Sequence, residues 1–334
     1  MSTGQSSWRK ALAAGMAVVA ALCPAASAPG AEIPEVTAKQ RYPWNGLVDI
    51  RCTVTGIEEG VSRLLVLSAV DPDSGEVRGL SHFRIVREGG DPADKGVNAD
   101  GEYELLWDAR ADLGEVVCSN MVVQVTFDPH PVVRLWEGGP YWADRNIGAA
   151  EPWDSGFYFW WGDTVGYRRE DDQWVASDGS AAGFSFANAP HYGKNSTWLL
   201  NKGWITTNNV LAPEHDAARA HWGGEWRMPT KQELQDLVDK CDRTWVTTNG
   251  VKGCLVRGRD GFESVAIFLP AAGFGHETAL KNGGTWGYLW SSEPNPDNSY
   301  LSWRLNFRST SFYMDYHYDR HLGASFRPVL GGGE

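Results

Sequence analysis

The sequence predicts an α+β protein in two parts: an all-β sandwich over residues 32–127, then an α+β domain over residues 132–334 with two short helices and much irregular structure. Three observations lead there. The chain has 334 residues, long enough for two separate cores. Its first part alternates apolar and polar residues in short runs parted by turn residues, with no amphipathic helix of useful length. Its second part is rich in Trp and Gly and carries two segments with helical periodicity.

Taken in order, residues 1–28 have the layout of a secretory signal peptide. Arg9 and Lys10 precede an apolar run from Ala11 to Leu22, and Ala26, Ser27 and Ala28 supply the small residues of a cleavage site. That run is too short to span a bilayer. Pro29 follows Ala28, which leaves the cut free to fall a few residues away. Leu22 stands before Cys23 where a lipid anchor needs a small residue. The expectation is a protein that is secreted, extracellular or at the cell surface, or periplasmic, with no membrane insertion once the signal is removed.

The sandwich strands are predicted at Leu47–Val54, Arg63–Val70, Leu80–Val86, Gly101–Trp107 and Asn120–Phe127. Turn chemistry lies at Asp71-Pro-Asp-Ser-Gly75 and Asn98-Ala-Asp-Gly101. Two prolines within residues 128–131 mark a linker. Beyond it, Pro213–Trp222 is amphipathic and stops at Gly223-Gly224. Thr230 and Glu233 then have the spacing of a capping box, just after Pro229. Leu234, Leu237, Val238 and Cys241 follow at i, i+3, i+4 and i+7, so one helix face is buried while Lys231, Gln235 and Asp239 meet water. A β run comes next, Trp245–Thr248, Val251–Arg257 and Ser264–Leu269, with turns at Asn249-Gly250 and Asp260-Gly261.

The motifs WADRNIGA (Trp142 to Ala149), FYFWWGDTVGY (Phe157 to Tyr167), GGEWRMPT (Gly223 to Thr230), NGVKG (Asn249 to Gly253), IFLPAAG (Ile267 to Gly273), GYLWSSE (Gly287 to Glu293) and SFRPV (Ser325 to Val329) resemble, in order, the Fibrobacter succinogenes major paralogous domain family. The resemblance covers about 200 residues from Val132 on. It implies a C-type-lectin-like α+β fold, related to that of formylglycine-generating enzymes, in secreted bacterial proteins of mostly unassigned activity. The phrases AKQRYPWNGLVDI, WDARADLG and SNMVVQVTF resemble a β-sandwich module found ahead of such domains.

Four cysteines remain after the leader: Cys52, Cys118, Cys241 and Cys254. Export permits disulfides, and only the pairing 52–118 with 241–254 keeps each bridge within one domain. Four buried thiols are the alternative. The net charge of −12 argues against nucleic acid and anionic membranes as partners.

Catalysis is not expected. WRMPT and SFRPV are similar to the WRLPT and GFR landmarks of formylglycine-generating enzymes. Those enzymes work through a reactive cysteine pair near their C-terminal end and a copper ion, and here no cysteine follows Cys254. The chain also lacks a G-x-S-x-G elbow, an H-E-x-x-H helix and a phosphate-cradling loop.

Two metal readings remain. Glu293, Asn295 and Asp297 offer hard oxygen ligands suited to Ca²⁺, and Glu-Pro-Asn is similar to the calcium loop of sugar-binding C-type lectins. The second carboxylate of that pattern is missing, and a solvated polar turn is the preferred reading. Asp315, His317, Asp319 and His321 alternate and would share a strand face suited to a transition metal, against exposed polar residues near a turn. Seventeen tryptophans are either a core of large rings or exposed platforms for sugars. Trp142, Trp226 and Trp290 read as core, and Trp286 and Trp303 flank the preferred ligand loop, Trp286 to Arg308. The chain is thus expected to be a binding or structural module, with a polysaccharide or a cell-surface protein as partner.

Overall fold

The computed structural model describes residues 31–58, 61–71, 75–87, 95–114, 121–180, 183–185 and 187–331, with residues 316–318 described by backbone alone. The segment expected as a signal peptide, Cys118 and the centre of the Asp71–Gly75 turn lie outside them. Strand residues far outnumber helical ones, and the chain divides into two compact units, Met1–Pro131 and Val132–Glu334.

The first unit runs β1 (Glu32–Gln40), β2 (Leu47–Thr55), β3 (Arg63–Val70), β4 (Val77–Leu80), β5 (Phe83–Ile85), β6 (Gly96–Val97), β7 (Gly101–Asp108), α1 (Ala109–Leu113) and β8 (Val122–Phe127). One sheet has the order β1-β2-β7-β5; in the other β3 pairs with β4, β6 and β8. Alternation puts one face of each strand inward. Val48, Ile50, Cys52 and Val54 from β2 meet Leu65, Leu67 and Ala69 from β3 and Val123 and Val125 from β8 in one core around fully buried Trp107.

Four elements differ from expectation, and the two-residue β6 is one of them, an additional strand. β1 is an additional strand; a register irregularity between Glu32 and Glu35 breaks the alternation that marks a strand in sequence. The expected strand at Leu80–Val86 is two, interrupted where Ser81 and His82 donate their N–H groups to Asp112. The short α1 is capped by Asp108, whose carboxylate accepts from Ala111 N.

The second unit opens with β9 (Val132–Arg134), β10 (Tyr141–Ala143), β11 (Tyr167–Glu170) and β12 (Gln173–Ala176), then α2 (Ser196–Asn201), a 3₁₀ turn (Pro213–His215), α3 (Ala217–Trp222) and α4 (Lys231–Lys240). There are three short helices where two were expected. α2 is capped by Asn195, and Asp216 divides the segment expected as one helix from Pro213 into the 3₁₀ turn and α3, which it caps. The capping box of α4 is present in full, with Leu234, Leu237 and Cys241 buried.

The remaining elements are β13 (Asp242–Thr248), β14 (Val251–Arg257), β15 (Ala266–Pro270), β16 (Phe274–His276), β17 (Ala279–Lys281), β18 (Gly287–Pro294), β19 (Leu301–Arg308), β20 (Ser311–Asp319) and β21 (Val329–Leu330). β13 and β14 form a tight hairpin because Asn249 (φ 46°) and Gly250 (φ 81°) both take the left-handed backbone that such a turn requires. α4 packs across β18, β19 and β20, and its apolar face joins Leu289, Leu305 and Phe307 in the main core of the unit. A second core is mostly aromatic: Trp160, Tyr167 and Trp174 each present an edge or a face to Phe184 at 4.9–5.3 Å.

Small sheets are tied together by Arg327, which is fully buried. Nε donates to Asn146 Oδ1 at 2.9 Å, Nη1 to the carbonyls of Ala143 and Asp144 at 3.1 and 2.6 Å, and Nη2 to that of Phe268 at 2.7 Å. The end of β10, the centre of β15 and the segment entering β21 thus share one cation.

The bridge between Cys241 and Cys254 is not formed; both are buried free thiols. Cys254 lies opposite Trp245 in the β13/β14 ladder. Cys241 is four residues from Trp245, roughly 13 Å along an extended chain, whereas a disulfide needs Cα atoms within about 7 Å. Cys52 is likewise a buried thiol.

Replacing Arg327 with Met is expected to lower unfolding free energy by about 3–5 kcal/mol, because four acceptors lose their donor in a dry site; a denaturant midpoint equal to wild type would show that this cation holds nothing together. Burial pushes the Cys52 thiol up to about 11 and those of Cys241 and Cys254 up to about 12. Thiolate is the reactive form, so iodoacetamide at pH 8 is expected to leave all three unmodified until the protein is denatured.

Candidate functional site: a cleft beside the N-terminus of the capped helix

The site is assembled by a strand that leaves its ladder. β18 and β19 pair regularly from Gly287↔Phe307 to Trp290↔Arg304, and the register then shifts before Pro294↔Ser302. Such a bulge frees backbone groups and re-aims side chains. Ser292 N donates to Pro229 O at 2.8 Å, Ser292 O accepts from Leu211 N at 3.0 Å, and Ser291 O accepts from Trp161 Nε1 at 3.0 Å. The bulge therefore joins the loop before α3 to the WRMPT segment before α4.

Between these pieces lies a cleft of about 470 Å³, within the usual range for small-ligand sites. Val210, Leu211, Pro213 and Met228 form its apolar lining; Arg219, Ser292 and Glu293 are among its polar residues. Asp216, 3 % exposed, closes the base. Its Oδ1 accepts from Ala218 N and Arg219 N and its Oδ2 from Met228 N at 2.8 Å. Burial nevertheless pushes its carboxyl up to about 6, against those three donors.

Two carboxylates organise the start of α4. Glu233 accepts from Thr230 N and holds Arg227 through both guanidinium nitrogens at 2.8 and 2.6 Å. Glu293 Oε1 accepts from Lys231 N at 2.9 Å, so a side chain already occupies the seat where a helix N-terminus attracts an anion. Glu293 Oε2 has no hydrogen-bond partner among the described residues. Burial raises the Glu293 carboxyl above its ordinary value, with Lys231 opposing. Ser292 is 3 % exposed, and its hydroxyl likewise has no partner among the described residues.

The residues expected to form a calcium loop separate. Glu293 turns to the helix, and Asn295 Oδ1 accepts from Asp297 N and Asn298 N at 2.9 and 3.2 Å, closing its own turn. No group of three His, Cys, Asp or Glu side chains arranged to hold a metal occurs among the described residues. The second expected set does not share a face. From Ser302↔Tyr318 to Arg304↔Asp315 one strand advances two residues and the other three, which puts Asp315 and Asp319 on opposite sides. Asp315 instead accepts from Asn306 Nδ2 at 2.7 Å, and the His317 side chain is outside the description.

Trp286 and Trp303 do not form one platform. Trp286 lies parallel to Tyr288 and under Arg308 at 4.4 Å, at the end of β18 where Gly287 pairs with Phe307. Trp303 is four residues further along β19, roughly 13 Å away, beneath the Lys231 ammonium at 3.6 Å. Trp142, Trp226 and Trp290 are core, as expected, and so are Trp160, Trp161 and Trp174.

Of the preferred ligand loop, Ser292 and Glu293 reach the cleft. Arg219, Asp216 and Val210 have no sequence signal as site residues, because they come from a loop and a six-residue helix that only the bulge brings opposite Glu293. Replacing Asp216 with Ala is expected to cost about 2–4 kcal/mol in stability, since the α3 cap and the buried Met228 N–H are both lost. Millimolar Ca²⁺ or a chelator is expected to leave the melting temperature unchanged, and a calcium-dependent rise would restore the calcium loop. No family model, no curated protein and no solved structure matches the chain.

Proposed function

We propose that the chain is an exported, non-catalytic binding protein: a β-sandwich followed by a C-type-lectin-like α+β domain of the Fibrobacter succinogenes major paralogous domain kind, with a polysaccharide as its ligand. The observation that carries the binding site is the cleft beside α4, where Glu293 keeps a carboxylate oxygen without a hydrogen-bond partner among the described residues. Polar groups on an apolar wall orient a hydroxylated ligand. Saccharides offer several hydroxyls in a small volume. The proposal needs no calcium, since the Glu293–Asp297 segment already satisfies backbone donors.

The competing reading, an enzyme related to formylglycine-generating enzymes, needs a reactive thiol pair. Cys241 and Cys254 are buried, pushed up to about 12 and four residues out of register, which speaks against it.

The test is equilibrium binding of the full chain to a panel of soluble polysaccharides, with calcium and with chelator, alongside Val210→Trp, which fills the cleft from a loop residue. Wild type is expected to bind a subset of glycans equally well in both conditions, and the Trp variant to lose about tenfold or more in affinity, the scale of one well-packed contact. Binding unaffected by Val210→Trp would place the ligand elsewhere.

A further inference from the structure

We infer that the sugar residue seated in this cleft is a uronic acid, with its carboxylate on Arg219 and its hydroxyls on Glu293. The inference rests on the cleft being the ligand site and adds the chemical class that fills it.

Two guanidinium groups line the cleft, and they are in different states. Arg227 is held by both Glu233 oxygens and also donates to Met228 O and Gly331 O. Arg219 is half-buried, yet its guanidinium makes no hydrogen bond or ion pair among the described residues; only its backbone takes part in bonds, to Asp216 and Gly223. A half-buried Arg fork facing a cleft matches a planar carboxylate through two parallel hydrogen bonds. Its place in the last turn of α3 favours a cation there, but that leaves the fork's donors open.

The helix N-terminus is not available to the same anion. Glu293 Oε1 already receives Lys231 N–H, and a ligand carboxylate placed there would face Glu293 at close range. The anion is thereby directed to the α3 side, while Glu293 Oε2 stays an acceptor for hydroxyl donors. Asn208 at the rim has a side-chain amide with no partner among the described residues. One carboxylate facing one guanidinium, with hydroxyls facing an acceptor some distance away, is the pattern of a sugar acid. A neutral hexose leaves Arg219 unmatched, and a simple anion leaves Glu293 unmatched.

The experiment is calorimetric titration of the full chain with an oligogalacturonate, its fully methyl-esterified form and a sulfated neutral oligosaccharide of the same length, on wild type, Arg219→Gln and Val210→Trp. The acid is expected to bind at least about tenfold tighter than the ester, the low end for a hydrogen bond to a charged group. Arg219→Gln is expected to erase that preference, so that acid and ester bind alike, and a melting temperature equal to wild type separates charge recognition from loss of fold. Equal affinity for acid and ester, a preference for the sulfated sugar, or an acid preference that survives in Arg219→Gln would each overturn the uronate assignment while the cleft stands. Binding of every ligand unaffected by Val210→Trp, or no binding at all, would remove both the cleft and the uronate.

Discussion

One buried cation holds the irregular half of this protein in place. Regular secondary structure distributes its hydrogen bonds along ladders, but the second unit has many short strands whose ends need partners from elsewhere. Arg327 supplies them: its fork reaches Ala143, Asp144 and Asn146 after β10 and Phe268 within β15. It has no carboxylate partner among the described residues, so its placement depends on carbonyl oxygens being in position around it. Segments distant in sequence are thereby obliged to meet at one point, and β21 follows two residues later to pair with β10.

The same economy governs the cleft. Asp216 caps α3 and also receives Met228 N–H; Glu233 completes the α4 box and also clamps Arg227; Glu293 meets the first N–H of α4 from another strand. Each carboxylate serves two segments. Arg227 in turn exchanges both backbone hydrogen bonds with Val329, which connects this network to the segment placed by Arg327. The cleft is thus supported by the fold's own polar joints, with β18 departing from its ladder to bring Ser292 and Glu293 to its lining.

The tryptophans show how a domain with little helix fills its interior. Trp161, Trp290 and Trp160 each bury a large ring and donate the indole N–H to a carbonyl of another segment: Ser291, Phe159 and His321. A buried indole N–H usually finds such an acceptor, so these three rings specify contacts as well as filling volume. These three rings therefore serve packing.

Local signals were legible in the sequence: the alternation of Leu47–Thr55, the Asn249-Gly250 turn, the Thr230–Glu233 box and the buried stripe Leu234, Leu237, Cys241 follow from backbone geometry within a few residues. β1 and α2 were not, since an irregular register and a six-residue helix leave weak periodicity. The absence of a Cys241–Cys254 bridge, the separation of Asp315 from Asp319, and the meeting of Arg219, Ser292 and Glu293 were decided only by tertiary structure. The reason is the same in all three. Strand register and a bulge set which side chains face one another, and both depend on pairing partners far along the chain.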